Sequence, residues 1–141
     1  MEKQKQIAIQ THFRVSYSDT DQMGFMHHSN YFKYYETARW ELFRSLGIPY
    51  HEIEGEDVIL PVINASAKFI KPAFYDQEIK INTKIKSHKG ARIIFDNQAI
   101  NEAGEIINEA QITVAFVRKS TGKACFPPKR ISDTLKELTG K

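Results

Sequence analysis

The chain has 141 residues, of which 41% are hydrophobic and 26% charged, and a formal net charge of +3. That length suits one domain with a real core, and the composition is that of a soluble globular protein. The small charge does not by itself argue for nucleic acid, no stretch rich in arginine and aromatics offers a stacking platform, and no apolar run approaches the roughly 18 residues that span a bilayer.

Met1 to Gln6 is polar and lacks an apolar stretch of signal-peptide type, so the expected location is the cytoplasm. Ile7 to Tyr17 reads as a strand, with Phe13, Val15 and Tyr17 alternating. Ser18 to Ser29 is a loop of turn formers containing Gly24. Asn30 to Leu46 reads as a helix: Ser29 or Asn30 can cap its start, Gly47 fits the position past its end, and Pro49 prevents continuation.

Tyr31, Phe32, Tyr34, Tyr35, Ala38, Leu42, Phe43 and Leu46 cover about half the circumference of this helix at 100° per residue. A surface helix needs less, so a sheet should wrap around it. Arg39 falls inside the apolar arc and needs a partner; Glu36, on the same side, is the obvious one, and the pair reads as structural.

Four strands are expected after the helix. Ile79, Ile81, Thr83 and Ile85 face one way and Lys80, Asn82, Lys84 and Lys86 the other; Ala110, Ile112, Val114 and Phe116 repeat the pattern. Asn101 to Gly104 is a hairpin turn, and Ser132 to Leu138 a short terminal helix. A curled antiparallel sheet around one early helix is an α+β layout, and its open edges invite pairing between copies.

The densest polar cluster runs from Tyr17 to Tyr31 and holds Asp19, Asp21, Gly24, His27 and His28 directly before the helix. A helix start presents unpaired N–H groups and partial positive charge, which can hold a developing oxyanion. A carboxylate brought against it could act as nucleophile or general base. The alternative is that Asp19 and Asp21 are turn formers only. A metal at His27 and His28 is not expected: adjacent histidines on a regular element point apart, and no further ligand spacing follows. A calcium loop lacks its closing glutamate. The one cysteine, Cys125, excludes an internal disulfide and a thiolate metal cage, and no serine-hydrolase elbow, dinucleotide fingerprint or P-loop occurs.

The run Tyr17-x-Asp19-Thr20-Asp21-x-x-Gly24, then His28-x-Asn30-Tyr31, then Tyr35-Glu36-x-Ala38-Arg39, closely resembles the hydroxybenzoyl-CoA thioesterase family. The likeness is nearest to its YbgC/FadM-like acyl-CoA thioester hydrolase branch. It continues through Phe69-x-x-Pro72-Ala73-x-x-Asp76 to Thr121-Gly122-Lys123, Pro127 and Pro128. The resemblance implies one hot-dog domain over residues 1–141 and homodimers, often paired into tetramers, with active sites between subunits. It implies an acyl-CoA substrate, with an acyl carrier protein as the alternative carrier, and no cofactor. It places the catalytic aspartate at Asp21 and the carbonyl-polarising backbone N–H near His28 and Ser29. Departures lie at His27, where relatives often carry tyrosine, and around Tyr75 and Gln77, where they often carry glycine.

Within that expectation, Gly24, Phe25, Ser29 and Tyr31 would contact substrate, the aromatic residues lining an apolar pocket. Lys89-Gly90-Ala91-Arg92 is the candidate for the phosphates of CoA, since glycine allows close approach and Lys and Arg grip phosphate. Read without a ligand, the same segment is a solvated turn. A non-catalytic module binding acyl-CoA or a protein, and a hot-dog dehydratase, are the competing readings; the sequence shows no motif for the second.

Overall fold

The computed structural model describes residues 8 to 139. In chain order these form β1 (Ala8–Arg14), α1 (Ser29–Ser45), α2 (Tyr50–Glu54), β2 (Val58–Ile59), β3 (Val62–Phe69), β4 (Glu78–Lys89), β5 (Arg92–Ile100), β6 (Ile106–Ala115), β7 (Val117–Arg118) and α3 (Lys129–Thr139). Five strands make one antiparallel sheet in the order β1-β4-β5-β6-β3, and β2 pairs with β7 separately.

The sheet curls around α1 because both present apolar faces. Ile79, Ile81, Thr83 and Ile85 of β4 are buried, as are Ile93, Phe95, Asn97 and Ala99 of β5 and Ala110, Ile112 and Val114 of β6. From the helix come Tyr31, Tyr35, Ala38, Leu42 and Phe43. Phe13 of β1 stacks on Tyr34 at 3.5 Å between ring centroids, and Phe43 meets Phe95 edge-on at 6.0 Å. This is the hot-dog arrangement. None of the helices among the described residues is long and apolar enough to cross a membrane.

α1 stops through a Schellman motif. The Gly47 N–H donates to the Arg44 carbonyl and the Ile48 N–H to the Phe43 carbonyl, with Gly47 at φ 79°. Ile48, fully buried, packs in the core beside Phe43. The hairpin after β5 forms as the sequence indicates: the Asn101 N–H donates to the Glu105 carbonyl, and Gly104 takes φ 80°.

Several boundaries differ from expectation. The first strand ends at Arg14; Val15 still donates to the Gln77 carbonyl, but Tyr17–Asp19 tightens into a 3-10 turn and turns Tyr17 out to solvent. Ile7, the expected first residue of that strand, lies outside the described residues. α2, β2 and β7 are additional elements too short to show a period in the sequence, and α3 begins at Lys129 rather than Ser132. Asp76 itself adopts the left-handed conformation, φ 69°, in the turn where a departure from glycine was read at Tyr75 and Gln77.

β3 is an edge strand with an apolar inward row that α1 does not cover. Val62, Ile63 and Phe69 are each about half exposed, at 48%, 47% and 53%. At its far end the core carries a polar tie: the Tyr35 hydroxyl donates to Asn108 Oδ1 at 2.6 Å, and both residues are fully buried. Asn108 Nδ2 has no partner among the described residues. Tyr35→Phe leaves the whole amide unpaired and should cost about 1–3 kcal/mol, measured as a lower urea midpoint with an unchanged slope.

Candidate functional site

The loop between β1 and α1 is held by its two aspartates in different ways. Asp19 is buried. Its Oδ2 accepts from the Tyr34 hydroxyl at 2.5 Å, and its carbonyl accepts from the His27 N–H at 2.8 Å and from Asn30 Nδ2 at 2.9 Å. These bonds fasten the loop to the first turns of the helix. Burial first, and then the Asp19 carboxylate, hold the Tyr34 hydroxyl well above the usual tyrosine range.

Asp21 closes the next turn and stays exposed. Its N–H donates to the Phe25 carbonyl at 2.9 Å, and its Oδ1 accepts from the Met23 and Phe25 N–H groups at 2.9 and 3.3 Å. Gly24 supplies the left-handed corner at φ 84°. The turn reading and the reactive reading of Asp21 are thus compatible: Oδ1 shapes the turn, and Oδ2 has no hydrogen bond to a described residue. Phe25 bridges to Phe74, and their rings meet edge-on at 5.2 Å.

At the helix start, Ser29 is the first helical residue and His28 precedes it. His27 does the capping: its Nδ1 accepts from the Ser29 N–H at 3.3 Å and lies 2.8 Å from the Ser29 hydroxyl. The Asn30 and Tyr31 N–H groups go to the His27 and His28 carbonyls. Local bonds therefore absorb the N–H of Ser29, Asn30 and Tyr31, and the His28 N–H lies outside them. The expectation that His27 and His28 point apart is corrected. They sit in the bend before the helix, not on a regular element, and their rings are 4.1 Å apart.

His28 and Tyr31 both meet Phe69 edge-on, at 6.0 and 5.7 Å. Phe69 belongs to the site and was not singled out as a site residue from sequence. Its facing is set by pairing with β6, opposite the buried Asn108, a contact that local sequence does not show. Tyr31 is itself buried, and burial pushes its hydroxyl up to about 12.

Lys89, Gly90 and Arg92 do not join this group within one chain. They form the β4–β5 turn, whereas Asp21 sits beside the opposite end of β4, through the Phe25–Phe74 bridge and the Val15–Gln77 bond. β4 spans on the order of 35 Å between those ends at about 3.3 Å per residue. The turn does border a cavity of about 430 Å³, which Phe126 and Lys136 also line. Phe126 is 80% exposed, and neither residue carried a sequence signal as a site residue.

Arg39 lies inside the apolar arc as expected, without the expected partner. It is buried, but no ion pair with Glu36 forms within 4.0 Å. Glu36 turns toward solvent on its helical face. Its charge still favours the guanidinium, while burial, the larger effect, lowers the Arg39 pKa.

A family model described as the thioesterase-like superfamily matches residues 15–135. The chain belongs to that superfamily. The acyl-CoA thioester hydrolase YbgC of Escherichia coli O6:H1 is 31% identical over 124 residues, covering 88% of this chain and 92% of the relative. The acyl-CoA thioesterase YbgC of Helicobacter pylori J99 is 31% identical over 133 residues, covering 89% and 95%. The solved structure of a DHNA-CoA thioesterase from Staphylococcus aureus shares the fold, with a TM-score of 0.90 at 23% identity over 94% of this chain and 91% of that one.

Tyr31 gives this member of the superfamily an alkaline signature. Its folded pKa exceeds the unfolded value near 10, so the unfolded state loses its proton first as pH rises. Its contribution is complete below about pH 10 and is lost as pH climbs toward 12. Stability, measured by urea denaturation across that window, should fall as pH rises, and less steeply in Tyr31→Phe.

Proposed function

We propose that this superfamily member hydrolyses acyl-CoA thioesters to the free acid and CoA. The observation that carries the reading is the exposed Asp21 carboxylate, fixed through one oxygen by two backbone N–H groups on the loop that leads into α1. The two YbgC relatives, named as acyl-CoA thioesterases, support it.

In this mechanism the thioester carbonyl lies against the His28 N–H, where the partial positive charge of the helix end offsets the developing oxyanion. Asp21 either attacks the carbonyl carbon, giving an anhydride that water then opens, or takes a proton from an attacking water. On both routes the C–S bond breaks and CoA leaves as thiolate. Gly24 shapes the turn that carries Asp21; Phe25, Tyr31, Phe69 and the Ser29 region would border the acyl group.

The working unit in this reading is a homodimer joined along β3. That edge offers unpaired backbone groups and an uncovered apolar row. Antiparallel pairing about a two-fold axis sets the Val62 end of one copy beside the Phe69 end of the other. The Lys89–Arg92 turn stands level with Val62, since Val62, Val114 and Ile93 are in register across β3, β6 and β5. One copy's basic turn then approaches its partner's helix start, about three strand spacings of roughly 4.8 Å away. There Lys89, Gly90, Arg92, Phe126 and Lys136 would receive the nucleotide end of CoA.

Thiol release from a panel of aliphatic and aromatic acyl-CoAs tests the chemistry. Asp21→Asn should lower kcat by at least about a hundredfold, the lower range for a lost general base, with its melting temperature little changed. A variant with full activity removes Asp21 from the mechanism. Arg92→Ala should raise KM about tenfold, the loss of one charge-assisted phosphate contact, with kcat nearly unchanged. Release from acyl carrier protein thioesters alone would reassign the carrier.

A further inference from the structure

We propose that the pocket between α1, α2 and the start of β3 is a carboxylate-binding site anchored by Arg39. It stands apart from Asp21: Arg39 lies roughly 15 Å beyond Ser29 along α1 at 1.5 Å per residue. It does not depend on the hydrolytic reading and survives or fails separately.

Arg39 is only 6% exposed, and its Nη1 has no hydrogen-bond partner among the described residues. The side chain lines a cavity of about 190 Å³ together with Glu36, Trp40, Tyr50, Pro61 and Val62. A guanidinium removed from water is costly without an anion or acceptors to replace its hydration. Phe95 lies 6.0 Å from the guanidinium carbon, ring centroid to Cζ, the outer limit for a cation–π contact, and cannot accept all its donors.

Three polar groups face the pocket. Arg39 is a buried donor. Glu36 is a carboxylate on the exposed side, where water screens it. The Tyr50 oxygen accepts from the Leu60 N–H at 3.4 Å, which leaves its own proton to donate. A carboxylate fits this set: one oxygen takes the guanidinium and the other the Tyr50 hydroxyl. Trp40 and Tyr50, stacked at 5.2 Å with an angle of 9°, give the otherwise mixed lining one flat aromatic side. The volume suits a small ligand, below the range of drug-sized sites. The carboxylate has two sources, a free small acid or an acidic side chain of a second copy brought in over the exposed Val62.

Trp40 is the chain's one tryptophan, so its emission reports on this pocket alone. Wild-type protein titrated with acetate, then benzoate, against chloride at constant ionic strength should show a saturable change in emission and a rising melting temperature. Arg39→Met should abolish both and still fold, because it exchanges an unpaired buried charge for an apolar side chain. Arg39→Lys, which keeps the charge but loses the fork, should retain a weakened response. Silence toward both acids, with self-association in sedimentation weakened at least tenfold by Arg39→Met, assigns the carboxylate to a second copy. Silence together with association unaffected by Arg39→Met overturns the site.

Discussion

α1 carries more apolar surface than a flat sheet could cover, and that excess shapes the whole molecule. Aromatic and aliphatic residues from Tyr31 to Phe43 must leave water, so the sheet bends until β1 and β4 on one side and β5 and β6 on the other enclose the helix. Enclosure is incomplete at β3, the strand reached last around the curve. The same constraint explains why polar groups inside the wrap come with specific partners. Tyr35 meets Asn108, and the Thr83 hydroxyl donates to Asn97. Among the described residues Arg39 Nη1 and the amide nitrogens of Asn97 and Asn108 have no such partner, and Arg39 lies where the wrap opens.

The site is a by-product of how the chain enters that helix. Coming off β1, the backbone must reverse and start α1 over the sheet's edge, and two aspartates manage the reversal. Asp19 spends its carboxylate and carbonyl on the helix; Asp21 spends only one oxygen, on its own turn. The division leaves a carboxylate exposed beside N–H groups that are nearly all in use. Local bonds take up the N–H groups of Ser29, Asn30 and Tyr31, so the start of α1 offers fewer free donors than a bare helix end would.

Much of this was legible in the sequence where a period is long enough to read. The alternation of β4 and β6, the apolar arc of α1, the Gly47 stop and the Asn101–Gly104 turn each follow from local chemistry. The short α2, β2 and β7 did not, since two to five residues carry no periodicity. The Glu36–Arg39 pairing failed for another reason. Helical spacing brings two side chains to one side, but burial on that side decided their fates separately, and Glu36 kept its hydration. The contact of His27 with His28 was missed because the rule that neighbours diverge holds on regular elements, not in a capping bend. The site was legible as one loop; what lay outside local reach was Phe69, and the distance separating Lys89 and Arg92 from Asp21.

The strand order has a consequence for how the protein is made. β4, β5 and β6 are consecutive hairpins, while β1 and β3 join the sheet's two margins from earlier in the chain. Local hairpins close at small entropic cost; the margins close long loops and so dock later. A nascent or partly unfolded molecule therefore holds the central meander first, and β1 seats against β4 afterwards. Such a species is compact, and it presents the apolar row of β3 to whatever it meets. Closure of the central meander and seating of the β1–α1 loop are thus sequential events, with β1 docking as the gate between them.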